Sequence, residues 1–332
     1  LILTGGTIGS ERKRNVVNVS KNNYLISYLL KKKNFNFKIV QPINILSENA
    51  TPNNWNKIIK CIEENWNNKF SGIIITHGTD TLSYTSSALS QYFYNFYKPV
   101  ILVSSDKPLK DKNSNGKLNF ASAIDFIEKI KLPGTYVSYK NPKDNFISFF
   151  IGSRIKQINS YYNNLNSGFG DPFCILKNKK FSFIKKNNPS ILSIKKNGKK
   201  NSLNMGFEFS NKILLIHAYP GLNYDSFNLI KIKPKVILHT LYHSGTSSLQ
   251  FTDFIKKNKN KKISFFVAPI SNKKKNTYLS LKILMKLKAK CLKGITVETA
   301  FAKLSLAFQS FKNEKDRNNF LSNNNFFEKI LF

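Results

Sequence analysis

The chain has 332 residues, 41% of them hydrophobic and 13% aromatic, which is enough for a sizeable core and excludes a chain disordered throughout. It carries 53 Lys+Arg against 18 Asp+Glu, a formal net charge of +35. Only Arg12, Arg14, Arg154 and Arg317 are arginines. Phosphate and base readers favour Arg forks that pair bidentately. The lysine excess, spread over the whole length beside Asn, Ile and Phe, therefore reads as compositional drift, and nucleic acid is not the expected partner. No apolar run approaches the roughly 18 residues of a membrane-spanning helix, so no membrane partner is expected. Cys61, Cys174 and Cys291 stand far apart, as in a protein of a reducing compartment without disulfides. His239 and His243 lie four apart without a companion cluster, so no metal site is expected.

Elements alternate from the start. The chain opens without Met inside what reads as a strand, with no signal peptide, so a few residues are expected to precede it. Residues 1–3 run into Thr4-Gly5-Gly6-Thr7, and 37–40 form a short strand candidate. Thr51-Pro52 supplies an N-cap followed by proline at the first helical position. Trp55, Ile58, Ile59, Ile62 and Trp66 follow at helical spacing, which predicts an amphipathic helix over 52–67. Residues 72–76 (GIIIT) are a continuous apolar run, as in a strand covered on both faces. It ends at His77-Gly78-Thr79-Asp80-Thr81, before a helical stretch over 82–94. A strand at 99–104, a helix at 120–130 and a strand pair at 136–139 and 146–151 come next. The Lys/Asn-rich stretch 185–211, with Pro189 and Gly198, reads as the domain boundary. Beyond it, 212–217, 236–238 and 263–268 are strand cores, and the last clear helix opens at Thr296 with Glu298 close behind. The expected fold is α/β with two domains: a larger N-terminal, mostly parallel sheet with helices on both faces over 1–190, a linker at 191–211, and a smaller flavodoxin-like α/β domain over 212–332.

Ligands of such sheets bind at the carboxyl ends of strands. Two polar segments lie there, 4–10 and 77–81. The glycines of the first let backbone amides approach a ligand, although the GxGxxG spacing of dinucleotide sites is absent. In the second, Asp80 or Thr81 could cap the following helix, or the N–H groups at its start could hold an oxyanion. Together they offer threonine hydroxyls, local glycine and a carboxylate, whereas no GxSxG elbow or Ser/His/Asp order is present.

The segments TGGTI at 4–8 and THGTDT at 76–81 resemble the two signatures of the L-asparaginase/glutaminase family, in its bacterial cytoplasmic form. ILSENATPNNW at 45–55, the stretch 99–120 with Ser114-Asn115-Gly116, and ITVETAFAKL at 295–304 are similar to further family segments. The resemblance implies hydrolysis of the small-molecule substrate L-asparagine to L-aspartate and ammonia through an acyl-threonine, without cofactor or metal, in a cytoplasmic homodimer or homotetramer. It implies Thr7 as nucleophile, and Thr79 as a second catalytic threonine in a relay with Lys156 and Asp80. It also implies that Asp80 contacts the substrate ammonium, that Ser47 binds the α-carboxylate, that Glu48 can pair with the ammonium, and that Gly78 and Ser105 line the substrate pocket. Three departures stand out. Gln157, rather than Lys156, falls nearer the lysine position of the family; the loop 10–19 has Val16 or Val17 where a tyrosine is usual, Tyr24 coming later; and Ser104-Ser105-Asp106-Lys107 replaces the common pattern. Two alternatives follow: the amidase subunit of a tRNA-dependent amidotransferase, and a catalytically impaired, amino-acid-binding homologue.

Overall fold

The computed structural model describes residues 1–13, 16–19, 35–168, 170–198, 203, 206–271 and 277–329, so Tyr24 lies outside the described residues. The opening segment is bonded as a strand. Ile2 bridges in parallel to both Val40 and Ile75, its N–H donating to the Ile74 carbonyl at 2.8 Å while Thr76 donates back to Ile2 at 2.9 Å. A short 3-10 turn, Thr7–Gly9, leads into the hairpin β1 (Ser10–Lys13) and β2 (Val16–Val19). Helix α1 (Pro52–Asn65) begins at the expected cap: the Thr51 N–H donates to Asn54 Oδ1 at 2.8 Å, and Pro52 fills the first turn. Its apolar stripe, Trp55, Ile58, Ile59 and Ile62, is buried, as the spacing predicts.

Strand β3 (Ile73–Thr76) is followed by α2 (Leu82–Tyr92), β4 (Pro99–Val103), α3 (Gly116–Asp125) with a wider π turn at Phe126–Ile130, β5 (Gly134–Tyr139) and β6 (Ile147–Ile151). Two short strands, β7 (Cys174–Lys177) and β8 (Lys180–Phe183), complete a six-stranded sheet of order β3-β4-β5-β6-β7-β8. The parallel part runs from β3 to β5, and an antiparallel ladder continues from β5 to β8. Lysines at both ends of the β7–β8 turn blunt the exposed edge against further pairing. The stretch expected as a linker opens with a helix, α4 (Ile191–Asn197), capped by Ser190 and burying Ile194.

The second sheet is four parallel strands in chain order: β9 (Ile213–Ile216), β10 (Val236–Thr240), β11 (Ser264–Ile270) and β12 (Lys290–Lys293). Helices α5 (Leu229–Ile232), α6 (Leu249–Asn258) and α7 (Leu279–Lys286) connect them. His239 on β10 is a core residue. It stacks on Phe251 with centroids 3.7 Å apart, its Nε2 lies 2.7 Å from the Tyr224 hydroxyl, and burial pushes its imidazole down to about 4. Helices α8 (Val297–Ser310) and α9 (Glu314–Ser322) close the fold. Helix α8 spans the two sheets: one apolar cluster joins Leu89 and Val137 to Leu304, Leu238 and Phe266. Close approach of α8 to α2 is allowed by small polar residues, with Ser87 Oγ and Thr299 Oγ1 2.9 Å apart.

Helix α8 also carries a buried ion pair. Lys303 Nζ donates to Glu328 Oε1 at 2.5 Å, and both side chains are fully buried. Burial alone would raise the Glu328 carboxyl; the Lys303 ammonium and the N–H groups of Asn325 and Phe326 outweigh it and hold the group below its ordinary value. Removing one partner strands a buried charge. Lys303→Met and Glu328→Leu are each expected to lower the unfolding free energy by about 3–5 kcal/mol in denaturant titrations, and the double variant by less than either. The carboxyl being depressed in the folded state, its contribution is complete above the unfolded value of about 4.3 and is lost as pH falls through the lower folded value.

Candidate active site

Parallel pairing brings separate loops to one rim. The Thr4 hydroxyl donates to the Thr76 carbonyl at 2.5 Å, and the Thr4 N–H donates to Thr76 Oγ1 at 3.3 Å. The segment after Thr4 therefore leaves beside the segment after β3. Gly6 has φ 68°, and a Cβ added to it would stand 2.2 Å from the Gly78 nitrogen. A Cβ on Gly78 would stand 2.4 Å from Ser47 Oγ. Only glycine permits both the left-handed backbone and this contact. The third loop is tied in by Gly6 N–H to the Ile45 carbonyl at 2.8 Å and by Thr81 Oγ1 to the Ser47 carbonyl at 2.7 Å. Ser47 Oγ accepts the Asp80 N–H at 3.2 Å and donates to Asp80 Oδ2 at 3.3 Å.

The rim thus collects Thr7, Ser47, Glu48, Gly78, Thr79 and Asp80. Thr7 and Thr79 are half-buried and each directly follows one of the two touching glycines; Ser47 is buried, while Glu48 and Asp80 are exposed. Among the described residues, neither Glu48 nor Asp80 is in an ion pair, in a chain with 53 Lys+Arg. His77 is buried with Nδ1 2.8 Å from the Gly78 carbonyl, and burial holds its imidazole below the ordinary value. A carbonyl only accepts, so the neutral ring donates from Nδ1 and pins the Gly78 peptide.

Two further expected residues make no side-chain hydrogen bond to these loops among the described residues. Ser105 is fully buried, and its hydroxyl is committed to the Lys107 carbonyl and to Ser114 Oγ at 2.8 Å, closing the loop after β4. Lys156 is exposed and, beside Gln157, lines a cleft of about 530 Å³ with Thr81, Tyr84, His217 and Glu298. The side chain that reaches the Asp80 segment is its neighbour: Gln157 Nε2 donates to the Asp80 carbonyl, and its Oε1 accepts from Ser83 Oγ at 3.2 Å. Glu298, legible in the sequence only as an acidic residue in a first helical turn, accepts the Gln157 N–H at 2.7 Å. A second groove of about 480 Å³, lined by Phe35, Phe37, Trp66 and Phe70 among others, lies at the amino ends of the strands, away from the three loops. Among the described residues, no three His, Cys, Asp or Glu cluster as metal ligands, and no helix is long and apolar enough to cross a membrane.

Two threonine hydroxyls, glycine-turn N–H groups and carboxylates outside any ion pair among the described residues are the parts that acyl transfer to a hydroxyl needs: a nucleophile, oxyanion donors and a charged anchor. Residues 1–169 match the family model described as Asparaginase, N-terminal. The chain belongs to the asparaginase family. Its curated relatives include a glutamyl-tRNA(Gln) amidotransferase subunit from Methanosphaera stadtmanae, 31% identical over 195 residues, which are 57% of this chain and 42% of that protein. The corresponding amidotransferase subunit from Saccharolobus solfataricus is 27% identical over 243 residues, 71% of this chain and 53% of that protein. The chain thus spans about half the length of these curated relatives. Among solved structures, the thermostable L-asparaginase from Thermococcus kodakarensis matches with a TM-score of 0.79 at 21% identity, over 100% of this chain and 98% of that one. L-asparaginase I from Vibrio cholerae matches with a TM-score of 0.79 at 21% identity, over 99% and 98%. The two-domain asparaginase fold is therefore shared along the whole chain.

The glycine contact gives a test of how the rim is held. Gly78→Ala is expected to destabilise the protein by about 1–3 kcal/mol through overpacking against Ser47. Gly6→Ala adds left-handed strain of about 1–2 kcal/mol and should cost more, as read from chemical denaturation of both variants.

Proposed function

We propose that this asparaginase-family chain is an amidohydrolase that releases ammonia from the side-chain amide of L-asparagine through an acyl-threonine on Thr7. The observation that carries the reading is the Gly6–Gly78 contact, which sets Thr7 and Thr79 on one rim with Asp80 and Ser47. L-Asparagine bears an ammonium and a carboxylate at its α-carbon and a neutral amide one side chain away. In this reading Asp80 and Glu48 take the ammonium, and the Ser47 hydroxyl and nearby N–H groups take the carboxylate. The Thr7 oxygen then attacks the amide carbonyl while turn N–H groups hold the oxyanion. The Thr7 proton passes by way of the Thr79 hydroxyl to the departing nitrogen, which leaves as ammonia. Water adds to the resulting ester, frees L-aspartate and returns a proton to Thr7. The same reading makes the protein a cytoplasmic homo-oligomer.

These steps balance without a lysine in the relay, and with no lysine hydrogen-bonded to Asp80 or Thr79 among the described residues slow turnover is expected. Thr7→Ala and Thr79→Ala should each lower ammonia release from L-asparagine by roughly 10³-fold or more with the melting temperature unchanged. Ser47→Ala should raise KM about tenfold, the equivalent of about 1.4 kcal/mol. Wild-type turnover by Thr7→Ala would remove the acyl-threonine.

A second reading follows from the curated relatives, which are named as amidotransferase subunits and are more similar in sequence than the solved L-asparaginases. The net charge of +35 suits a polyanion. If the chain works beside tRNA, its tRNA affinity should fall by about 10³-fold or more between 50 and 200 mM salt. Absence of binding at the lower salt discards this reading.

A further inference from the structure

We propose that Gln157 is the positioning residue of this site: its carboxamide fixes the Asp80 peptide, and with it the ammonium-binding carboxylate and the Thr79 hydroxyl, against helix α8. The role of Asp80 in that statement rests on the amidohydrolase reading above. The geometry of the clamp does not.

The backbone leading to Gln157 is held from several sides. Ser86 Oγ on α2 donates to the Gly152 carbonyl at 2.9 Å, and Thr299 Oγ1 on α8 donates to the Ser153 carbonyl at 2.6 Å. Ser153 Oγ donates to the Phe326 carbonyl at 2.9 Å, and Arg154 donates to the Asn187 carbonyl at 2.7 Å. Ile155 is fully buried. The chain therefore arrives at Gln157 with little freedom, and the Gln157 N–H is taken by Glu298 Oε1 at 2.7 Å. Glu298 is itself 5% exposed, in the first turn of α8, where Thr296 caps the helix by accepting the Thr299 N–H at 3.2 Å.

The side chain then makes two contacts of opposite sense. Nε2 donates to the Asp80 carbonyl, and Oε1 accepts from Ser83 Oγ at 3.2 Å. Asp80 precedes the N-cap Thr81, so its carbonyl lies outside the hydrogen-bond ladder of α2 and has no helical partner to hold it. A carboxamide is suited to this position because it presents a donor and an acceptor in one plane; an ammonium has donors only. Gln157 thus staples the peptide just before α2 to the first turn of α2, and ties both through Glu298 to the helix that spans the two sheets. Lys156 borders the same cleft, but among the described residues it makes no hydrogen bond to Asp80 or Ser83.

The test compares wild type with Gln157→Glu, an isosteric change that removes the donor and sets a carboxylate against the Asp80 carbonyl, and with Ser83→Ala, which removes the weaker contact. L-Aspartate is the probe, by calorimetry, alongside ammonia release from L-asparagine, thermal melting, and hydrogen exchange of amides 79–83. Expected for Gln157→Glu are an L-aspartate Kd and an L-asparagine KM raised about tenfold, a smaller change in kcat, faster exchange at 79–83 and an unchanged melting temperature. Ser83→Ala should move in the same direction by less. Wild-type Kd, KM and exchange in Gln157→Glu would overturn the proposal, as would a loss of affinity matched by global destabilisation. If wild type binds L-aspartate yet releases no ammonia, the amidohydrolase reading fails while weakened binding by Gln157→Glu still supports the clamp. If wild type neither binds nor turns over, exchange at 79–83 decides: faster supports the clamp, unchanged overturns it.

Discussion

Gly6 lies against Gly78 with no room for a single carbon atom between them, and every functional feature of the rim depends on that contact. The cause lies lower down, in the strands. Ile2 pairs in parallel with Ile75, so both chains leave the sheet at the same edge, and the Thr4–Thr76 hydrogen bonds keep them together for one further residue. From there the two chains are close enough that any side chain would hold them apart. Glycine at both positions lets peptide groups face a common space, and peptide N–H groups held by a sheet need no reorganisation when charge develops on an oxygen. Ser47 completes the arrangement because its small hydroxyl fits where Gly78 leaves space, and serves Asp80 as acceptor and donor at once.

Helix α8 is the second constraint. It comes from the C-terminal half, yet its polar contacts run to the elements that hold the site: Thr299 to Ser87 and Ser153, and Glu298 to Gln157. Further along the same helix, Lys303 locks the terminal segment through Glu328, and that segment in turn accepts from Ser153 and Arg154. These groups are buried and partnered, which is the condition under which polar contacts in a low-dielectric interior fix one arrangement rather than several. The smaller sheet thus acts on the rim by anchoring it.

The parts of this structure that were legible in the sequence are those set by local rules. The Thr51-Pro52 start of α1, its apolar stripe and the buried strands at 73–76 and 99–103 follow from capping and from unbroken apolar runs. The glycine-threonine bends after the first strands were legible for the same reason, since abrupt polar bends after apolar strands are uncommon without a use. The hairpin of β7 and β8 was not: each strand has four residues, lysine flanks the turn, and too few positions remain for alternation to register. Helix α4 hid in a Lys/Asn-rich stretch because only Ile194 faces inward. At the site, the difference between Lys156 and Gln157 is one residue. In extended chain that reverses the direction of a side chain; Lys156 came from the family resemblance, whose register already fell nearer Gln157. Ser105 was expected at the pocket from the family resemblance; its commitment to Ser114 and Lys107 arises from a loop closure that no local pattern encodes.

The electrostatics of the molecule and of its rim have opposite signs, and this bears on what the rim can accept. A net charge of +35 creates a field that attracts anions from a distance. At the rim itself, Glu48 and Asp80 have no ionic partner among the described residues, and the side chain bonded to the Asp80 carbonyl is the neutral Gln157. A purely anionic ligand is drawn toward the protein but repelled at contact, and a purely cationic one is repelled before it arrives. A zwitterion, with no net charge to be turned away, can place its ammonium on the carboxylates and its carboxylate on the Ser47 hydroxyl and the turn amides. Exposed charges are screened within about 8 Å at physiological salt, so the short-range pattern decides.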